Sequence, residues 1–262
     1  MEIAVDIGNT NINVAVFEHS QFVKQLKICT NAQTSLKEYT TLLQDYFCKE
    51  NIDLAHDINR ICISSVVPSV TEKISSTLEN LSCKKSIVIS SKHFNKIPLK
   101  IPSTEMGSDL IADALEAYHR ANGSCIIVDF GTTLSFTAVL ASGEVCGVAI
   151  APGLETAVKS LFNNTAQLPK VPIELPKNAL GLDTISAIQA GVVLGYKGLV
   201  ESLIEKMKTE MIEKQGDKKI TVFATGGLSF IFENKICLFD FVDKHLTLCG
   251  IRRFGESVDK SA

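Results

Sequence analysis

"VDIGNTNINVAVF" (residues 5–17) starts as a buried strand and then stops on an acid. Asp6 stands where the apolar run should continue. Gly8 and Asn9-Thr10-Asn11 follow, and alternation resumes through Ile12, Val14, Val16 and Phe17. Such a bend is either an ordinary Asx-type turn or a place built for a ligand. "VDFGTTLSFTAVL" (residues 128–140) repeats the layout, with Asp129-Phe130-Gly131-Thr132-Thr133 matching Asp6-Ile7-Gly8-Asn9-Thr10. The match falls at the same point of two similar strand pairs, which indicates a duplicated domain core.

Outward from these bends, strand patterns fall at 2–7, 12–18 and 21–29. A helix at 35–49 follows, marked by Leu36, Tyr39, Leu42, Leu43, Tyr46 and Phe47 at three- and four-residue spacing. "RICISSV" (60–66) and "SIVIS" (86–90) read as buried parallel strands around a helix that begins near "VPSVTEKI", and a helix follows over 106–121. The second half reopens with strands at 125–129, 134–140 and 143–150 and a helix from Gly153 to Phe162. A proline-rich loop (168–183), a long helix (184–214), a strand (219–225) and a terminal helix near "DKHLTLCGIRRF" complete it. Alternating strands and helices of this kind make an α/β protein with helix-covered parallel sheet. We expect two lobes, 1–118 and 119–262, with a nucleotide cleft between them.

At 262 residues and 45% apolar content the chain can bury a sizeable core. A net charge of −3 leaves no basic footprint for nucleic acid. The N-terminus enters a strand directly, with no signal-peptide pattern, and no apolar stretch approaches the roughly 18 residues that span a bilayer. The eight cysteines include no CxxC pair, and most lie in apolar runs where a free thiol acts as a small core residue. The expectation is a reduced, cytoplasmic protein with no membrane partner. His19, His56, His93, His119 and His245 show no ligand spacing and receive no role.

At each bend, backbone N–H groups and the hydroxyls of Thr10, Thr132 and Thr133 can ring an anion. An aspartate there would repel phosphate, so its place is to hold a cation or its hydration water. "ATGGL" (224–228) adds a strand running into bare glycine backbone, against which a nucleotide can rest.

Paired Asp-Gly-Thr-type loops and a late Thr-Gly-Gly resemble the acetate kinase, sugar kinase, Hsp70 and actin superfamily, whose halves are ribonuclease-H-like. Within it the chain resembles the type III pantothenate kinases. The segments that carry the likeness, in the family's order, are "AVDIGNTNINVAVF", "GSDLIADALEAY", "IIVDFGTTLSF", "GVAIAPGLETAVKSL", "ALGLDTISAIQAGVVLGYKGLVESLI", "VFATGGL" and "HLTLCGI". The resemblance implies ATP-dependent phosphorylation of pantothenate to 4'-phosphopantothenate, which opens coenzyme A synthesis. It also implies Mg²⁺, a monovalent cation (K⁺ or NH₄⁺) and a homodimer.

The resemblance places ATP on Asp6, Ile7, Gly8, Asn9, Thr10, Asn11, Ile12 and Asn13, with a further contact from Thr132. Asp129 becomes the monovalent-cation ligand. The family's Gly-x-Asp-Arg motif falls on Gly107, Ser108, Asp109 and Leu110, giving substrate contacts and Asp109 as general base; Thr184 is a further substrate contact. Asp109 stands in the first turn of its helix, where carboxylates are favoured, although a plain helix-start acid reads the same way.

Leu110 departs from the family's arginine and supplies neither charge nor donors. Either another cation substitutes, with Lys100 and Arg120 candidates by sequence distance alone, or pantothenate is held differently, or catalysis is weak or lost. The departure keeps open a non-catalytic nucleotide- or pantothenate-binding regulator of the accessory-factor type. A conformational ATPase of the actin or Hsp70 kind is disfavoured because the chain is short for those folds. Asp183 reads as an N-cap for the helix at Thr184, whose N–H groups could attract a carboxylate. Ala187, Gly191 and Gly195 then form a small-residue stripe, with Ile188, Val192, Tyr196, Leu199 and Leu203 beside it. Glycine costs about 1 kcal/mol inside a helix, so close packing is expected there, either on the chain's own sheet or on a second copy.

Overall fold

The computed structural model describes residues 1–163, 171–216 and 219–260. The contacts divide the chain into two units: Met1–Glu116 with the stretch from Thr247 onward, and Ala117–Leu246.

The first unit holds β1 (Glu2–Ile7), β2 (Asn11–Glu18), β3 (Gln21–Cys29), α1 (Leu36–Lys49), α2 (Leu54–Asp57), β4 (Arg60–Ser65), α3 (Pro68–Ser82) and β5 (Ser86–Val88). Its sheet runs β3-β2-β1-β4-β5, with an antiparallel meander on one side and parallel strands on the other. Ile3, Val5, Ile7, Ile12, Val14 and Val16 pack with Tyr39, Leu43 and Phe47 of α1 and Val70, Ile74 and Leu78 of α3. These are the three- and four-residue stripes that make α1 and α3 amphipathic. A reciprocal capping box between Ser35 and Glu38 starts α1, and Pro68 opens α3.

The chain passes between units within α4 (Ser108–Ala121). The second unit then holds β6 (Ser124–Phe130), β7 (Thr133–Val139), β8 (Val145–Pro152), α5 (Leu154–Asn163), α6 (Thr184–Ile188), α7 (Gly195–Gln215), β9 (Ile220–Thr225) and β10 (Phe241–Val242). Its sheet order, β10-β9-β6-β7-β8, is the first sheet's order in the same roles: a meander from the opening strand, then parallel neighbours on its other edge. The duplicated meander expected from the two bends is therefore present. The proline-rich loop expected over 168–183 is irregular from Val171, and its first three residues lie outside the described ones.

Two helices differ from expectation. The helix from Thr184 contains a π-helical stretch at Gln189–Leu194 between α6 and α7. Val193, Val200, Ile204 and Met211 are buried in the second unit's core, with Val192, Tyr196, Leu199 and Leu203 beside them. A Cβ built on Gly191, Gly195 or Gly198 meets nothing within 4 Å. The apolar stripe therefore packs on the chain's own sheet, whereas the small-residue stripe does not. This helix, Thr184–Lys214, also holds an 18-residue window of mean hydropathy 1.2, of which only 17% is buried. By length and composition it could span a bilayer, which departs from the expectation that no apolar stretch reaches that length.

The second difference is α8 (Leu246–Lys260), expected with the second lobe but packed in the first unit. Arg253 Nε lies 2.6 Å from Glu116 Oε2. The Arg252 guanidinium, almost wholly buried, lies 3.3 Å from Glu2 and 3.1 Å from Glu256, donates to Ser20 Oγ at 3.2 Å, and sits over the Phe17 ring. Arg60 bridges Glu2 and Asp259 at 2.7 and 2.5 Å. Gly250 seats against the Ala112 carbonyl, where a Cβ would come within 1.9 Å. Partners this specific, with a buried guanidinium that needs all of its acceptors, tie α8 to β1, β4 and α4. The cysteines are also less uniform than expected: Cys62 and Cys125 are buried, but Cys29, Cys48, Cys83 and Cys237 are exposed, and all eight are free thiols.

Candidate active site

In the first unit the bend between β1 and β2 is held by its neighbours. Gly8 N donates to Asn11 O at 2.9 Å, Thr30 N to Thr10 O at 3.0 Å and Thr30 Oγ1 to Gly8 O at 2.7 Å. Gly8 is not at positive φ, and a Cβ there would make ordinary contact with Asn11 O at 3.4 Å. What its glycine contributes is bare backbone at the bend. Asn9 and Thr10 are exposed, while the side chains of Ile7 and Ile12 are fully buried. Those two can meet a nucleotide only through their backbone.

Asp6, half-buried at the end of β1, receives the Asn13 amide at 3.4 Å. Its carboxyl is pushed up from the ordinary 3.8 to about 7, first by burial and then by the negative charge of Asp109, with the Asn13 amide pulling weakly the other way. The structure thus brings Asp6 and Asp109, 103 residues apart in sequence, into one electrostatic site within the first unit.

Asp109 is the second residue of α4 and is half-buried. Its Oδ1 accepts from Leu110 N at 2.9 Å and turns back over Gly107, where a Cβ would come within 2.5 Å of it. The Gly-x-Asp spacing follows from that fold-back. Ser108 Oγ, nearly buried, is bonded to Ser64 Oγ at 2.9 Å, accepts from Ser65 N at 2.9 Å and donates to Ser65 O at 3.1 Å. Leu110 is half-buried. Of its expected substitutes, Arg120 is committed to Asp243 at 2.6 Å and stands about 15 Å further along α4 at 1.5 Å per residue. Lys100 is exposed on the approach to α4.

The second unit assembles its own cluster. Gly131 N donates to Thr133 O at 3.0 Å, and Thr132 O accepts from Gly153 N at 3.1 Å and Thr156 Oγ1 at 2.9 Å. This sets the start of α5 against the loop, so tightly that a Cβ on Gly153 would lie 2.3 Å from Thr132 O. Gly226 has φ +88° and presses on Asp129, its hypothetical Cβ falling 2.3 Å from Oδ1 and 2.6 Å from the Phe130 carbonyl carbon. Only glycine fits there on both counts. Gly227 faces open space. The Thr-Gly-Gly element and the Asp129 loop, separate in sequence, are therefore one site. Thr225, paired with Asp129 across the parallel ladder, is fully buried, and its hydroxyl has no hydrogen-bond partner among the described residues.

Thr184 is exposed at the first position of α6. Asp183 caps this helix: its Oδ1 accepts from Ser186 N at 2.9 Å, and its Oδ2 from Ser186 Oγ at 2.8 Å. The Ser186 N–H bond is the largest cause holding the Asp183 carboxyl below its usual range. The cap thus puts a negative charge of its own beside Thr184, which offsets part of the helix-start attraction for an anion. Among the described residues no cluster of three His, Cys, Asp or Glu side chains could hold a metal ion alone.

Sequence reasoning missed Ser64, Ser65 and the Gly226–Asp129 contact, and gave Thr225 no role beyond its place in the Thr-Gly-Gly element. The polar pair ending "RICISS" was the one available signal, since two serines at the close of a buried strand need partners.

The sequence model of the type III pantothenate kinase family matches residues 2–206. A type III pantothenate kinase of Dehalococcoides mccartyi strain BAV1 is 35% identical over 251 residues, covering 95% of this chain and 93% of that protein. Among solved structures, a Baf-family transcriptional activator from Campylobacter jejuni aligns at TM-score 0.60 with 15% identity, over 98% of this chain and 99% of that one. A ROK-family glucokinase from Streptomyces griseus, solved with glucose and AMPPNP, aligns at TM-score 0.51 with 12% identity, over 97% and 99%. At such identities these structures establish the shared two-lobed α/β fold alone. The sequence matches, at this identity and coverage, decide the rest: the chain belongs to the type III pantothenate kinase family.

Proposed function

We propose that this protein transfers the γ-phosphoryl group of ATP to the hydroxyl of pantothenate, giving 4'-phosphopantothenate, the first step of coenzyme A biosynthesis. Beyond family membership, the observation that carries the reading is the Asp109 carboxylate. It is anchored at the start of α4 and lies within electrostatic reach of Asp6 on the nucleotide-type bend. Phosphoryl transfer depends mainly on positioning and charge neutralisation. Asp109 accepts the hydroxyl proton as the pantothenate oxygen attacks phosphorus in line and ADP leaves. Gly107 and Leu110 flank the substrate, and Thr184 is a further contact.

Backbone N–H groups of the bend over Asp6–Asn13 and of Thr132 receive the phosphates of ATP. A divalent ion, when bound, neutralises phosphate charge. Asp6 fits such an ion, because a cation beside it would relieve the charge conflict with Asp109. With no three-carboxylate cluster among the described residues, most of that ion's ligands would be phosphate and water. The residues at Asp129 also fit a monovalent cation, K⁺ or NH₄⁺, since the neighbouring Thr225 hydroxyl is buried and has no hydrogen-bond partner among the described residues.

A second copy of the chain is the proposed occupant of the α6–α7 face. Gly191, Gly195 and Gly198 leave room there for a helix to approach closely, and Leu182, Ile185 and Ile150 are exposed. Eight free thiols suit the reducing cytoplasm, where we place the protein.

The test is ADP release with ATP, Mg²⁺, K⁺ and pantothenate, leaving out one component at a time. Dependence on pantothenate supports the kinase. Turnover without pantothenate points to an ATPase, and binding without turnover points to the regulator that Leu110 keeps in view.

A further inference from the structure

We infer that Ser108 does not contact substrate but is a positioning residue, whose buried hydroxyl locks the first turn of α4 onto the end of β4 and so aims Asp109. The inference rests on Asp109 being the base. A serine hydroxyl offers one proton and two lone pairs. Here Ser65 N–H occupies one lone pair and Ser64 Oγ–H the other, while the Ser108 proton goes to Ser65 O. All capacity is used within the protein, and the residue is only 9% exposed.

The attachment point matters. Ser64 is the parallel-ladder partner of Asp6, so the residue immediately before Asp109 is clamped to the strand beside Asp6. Gly107, on the other side of Ser108, yields the space into which Asp109 Oδ1 turns. A second layer steadies the clamp, since Ser65 Oγ accepts from Val67 N at 3.0 Å and Thr71 Oγ1 at 2.6 Å. The duplicated unit supplies an internal comparison. Thr225 occupies the position equivalent to Ser64, beside Asp129, and its hydroxyl has no such partner among the described residues. The sheet therefore does not require the bond, which belongs to the unit that carries Asp109.

The test compares Ser108→Ala and Ser64→Ala with the full-length wild type for kcat, KM for pantothenate, ATP dissociation constant and melting temperature. Asp109→Asn is run in parallel. Loss of the lock lets the carboxylate wander, and misplacement on the ångström scale costs about 10- to 100-fold in rate. Ser108→Ala is expected to lose that much kcat while ATP affinity stays within about twofold. Ser64→Ala, which leaves two of the three bonds, should lose less. A folded Ser108→Ala protein with kcat within about twofold of wild type overturns the inference, as does a raised pantothenate KM at unchanged kcat, which would mark a substrate contact. So does a fall in kcat matched by lost ATP affinity and melting temperature, which marks general damage. If Ser108→Ala does not fold, Ser64→Ala is judged by the same criteria. An active Asp109→Asn would remove the parent reading and this one together, whereas inactive Asp109→Asn beside active Ser108→Ala removes only this one.

Discussion

Replacing Asp6 with asparagine should make the ligand-free protein more stable while abolishing its turnover. In the folded chain this carboxyl is raised from 3.8 to about 7, by burial and by Asp109. The folded state therefore holds the proton more tightly than the unfolded chain does. Well below pH 4 both states are protonated and Asp6 has little effect. As pH rises from 4 to 7 the unfolded chain ionises first, so stability is progressively lost, and the loss is complete once the folded carboxyl has ionised. A rise of about three pH units at about 1.4 kcal/mol each amounts to about 4 kcal/mol by pH 8, against about 2 kcal/mol at pH 5. Asparagine keeps the shape and removes the titration. Thermal unfolding of nucleotide- and metal-free wild type and Asp6→Asn at pH 5, 6.5 and 8 should show a gap in favour of the variant that widens with pH. At about 2 to 4 °C per kcal/mol for a protein of this size, the gap should widen by several degrees. A gap that is constant across pH, or a variant less stable than wild type at pH 8, would refute the reasoning.

Other substitutions probe separate parts of the account. Gly226→Ala forces a Cβ against Asp129 Oδ1 at positive φ, and should cost more than about 2 kcal/mol in urea unfolding. Gly227→Ala, which meets nothing within 4 Å, should cost less than about 1 kcal/mol and serves as its control. Gly250→Ala pushes α8 off the Ala112 carbonyl, and should destabilise by at least about 2 kcal/mol, read by denaturant unfolding. Leu110→Arg restores a guanidinium where the family carries one, and should lower the pantothenate KM about tenfold, one good charged hydrogen bond's worth. An unchanged KM would mean that another donor already serves.

The duplicated sheet could be read from the sequence because it is written in local periodicity: strands alternate, the bends break that alternation with an acid, and the pattern recurs. The α1 stripe was equally open, since its three- and four-residue spacing reports the buried face directly. The partner of α8 was not. An amphipathic helix declares that it has a buried face but not which sheet it covers, and here the choice rests on Arg252, Arg253 and Gly250 meeting Glu2, Glu116 and Ala112. The π-helical stretch left no signal because it changes hydrogen bonding without changing the apolar spacing by much. Asp6, Asp109 and Asp129 were singled out by motif and by family resemblance. Their supports were hidden: Ser64 looked like strand filler, and the Gly226–Asp129 contact joins residues 97 apart. Chemistry-bearing residues leave motifs, whereas the groups that aim them are fixed by tertiary contact.

The most direct test of the central claim follows the product itself. Phosphorus NMR and mass spectrometry of pantothenate incubated with the protein, ATP, Mg²⁺ and K⁺ should show one phosphoryl group on the pantothenate hydroxyl, formed in step with ADP and absent with Asp109→Asn. ADP accumulating with pantothenate left unmodified, or phosphopantothenate formed as fast by the Asp109→Asn protein, would contradict it.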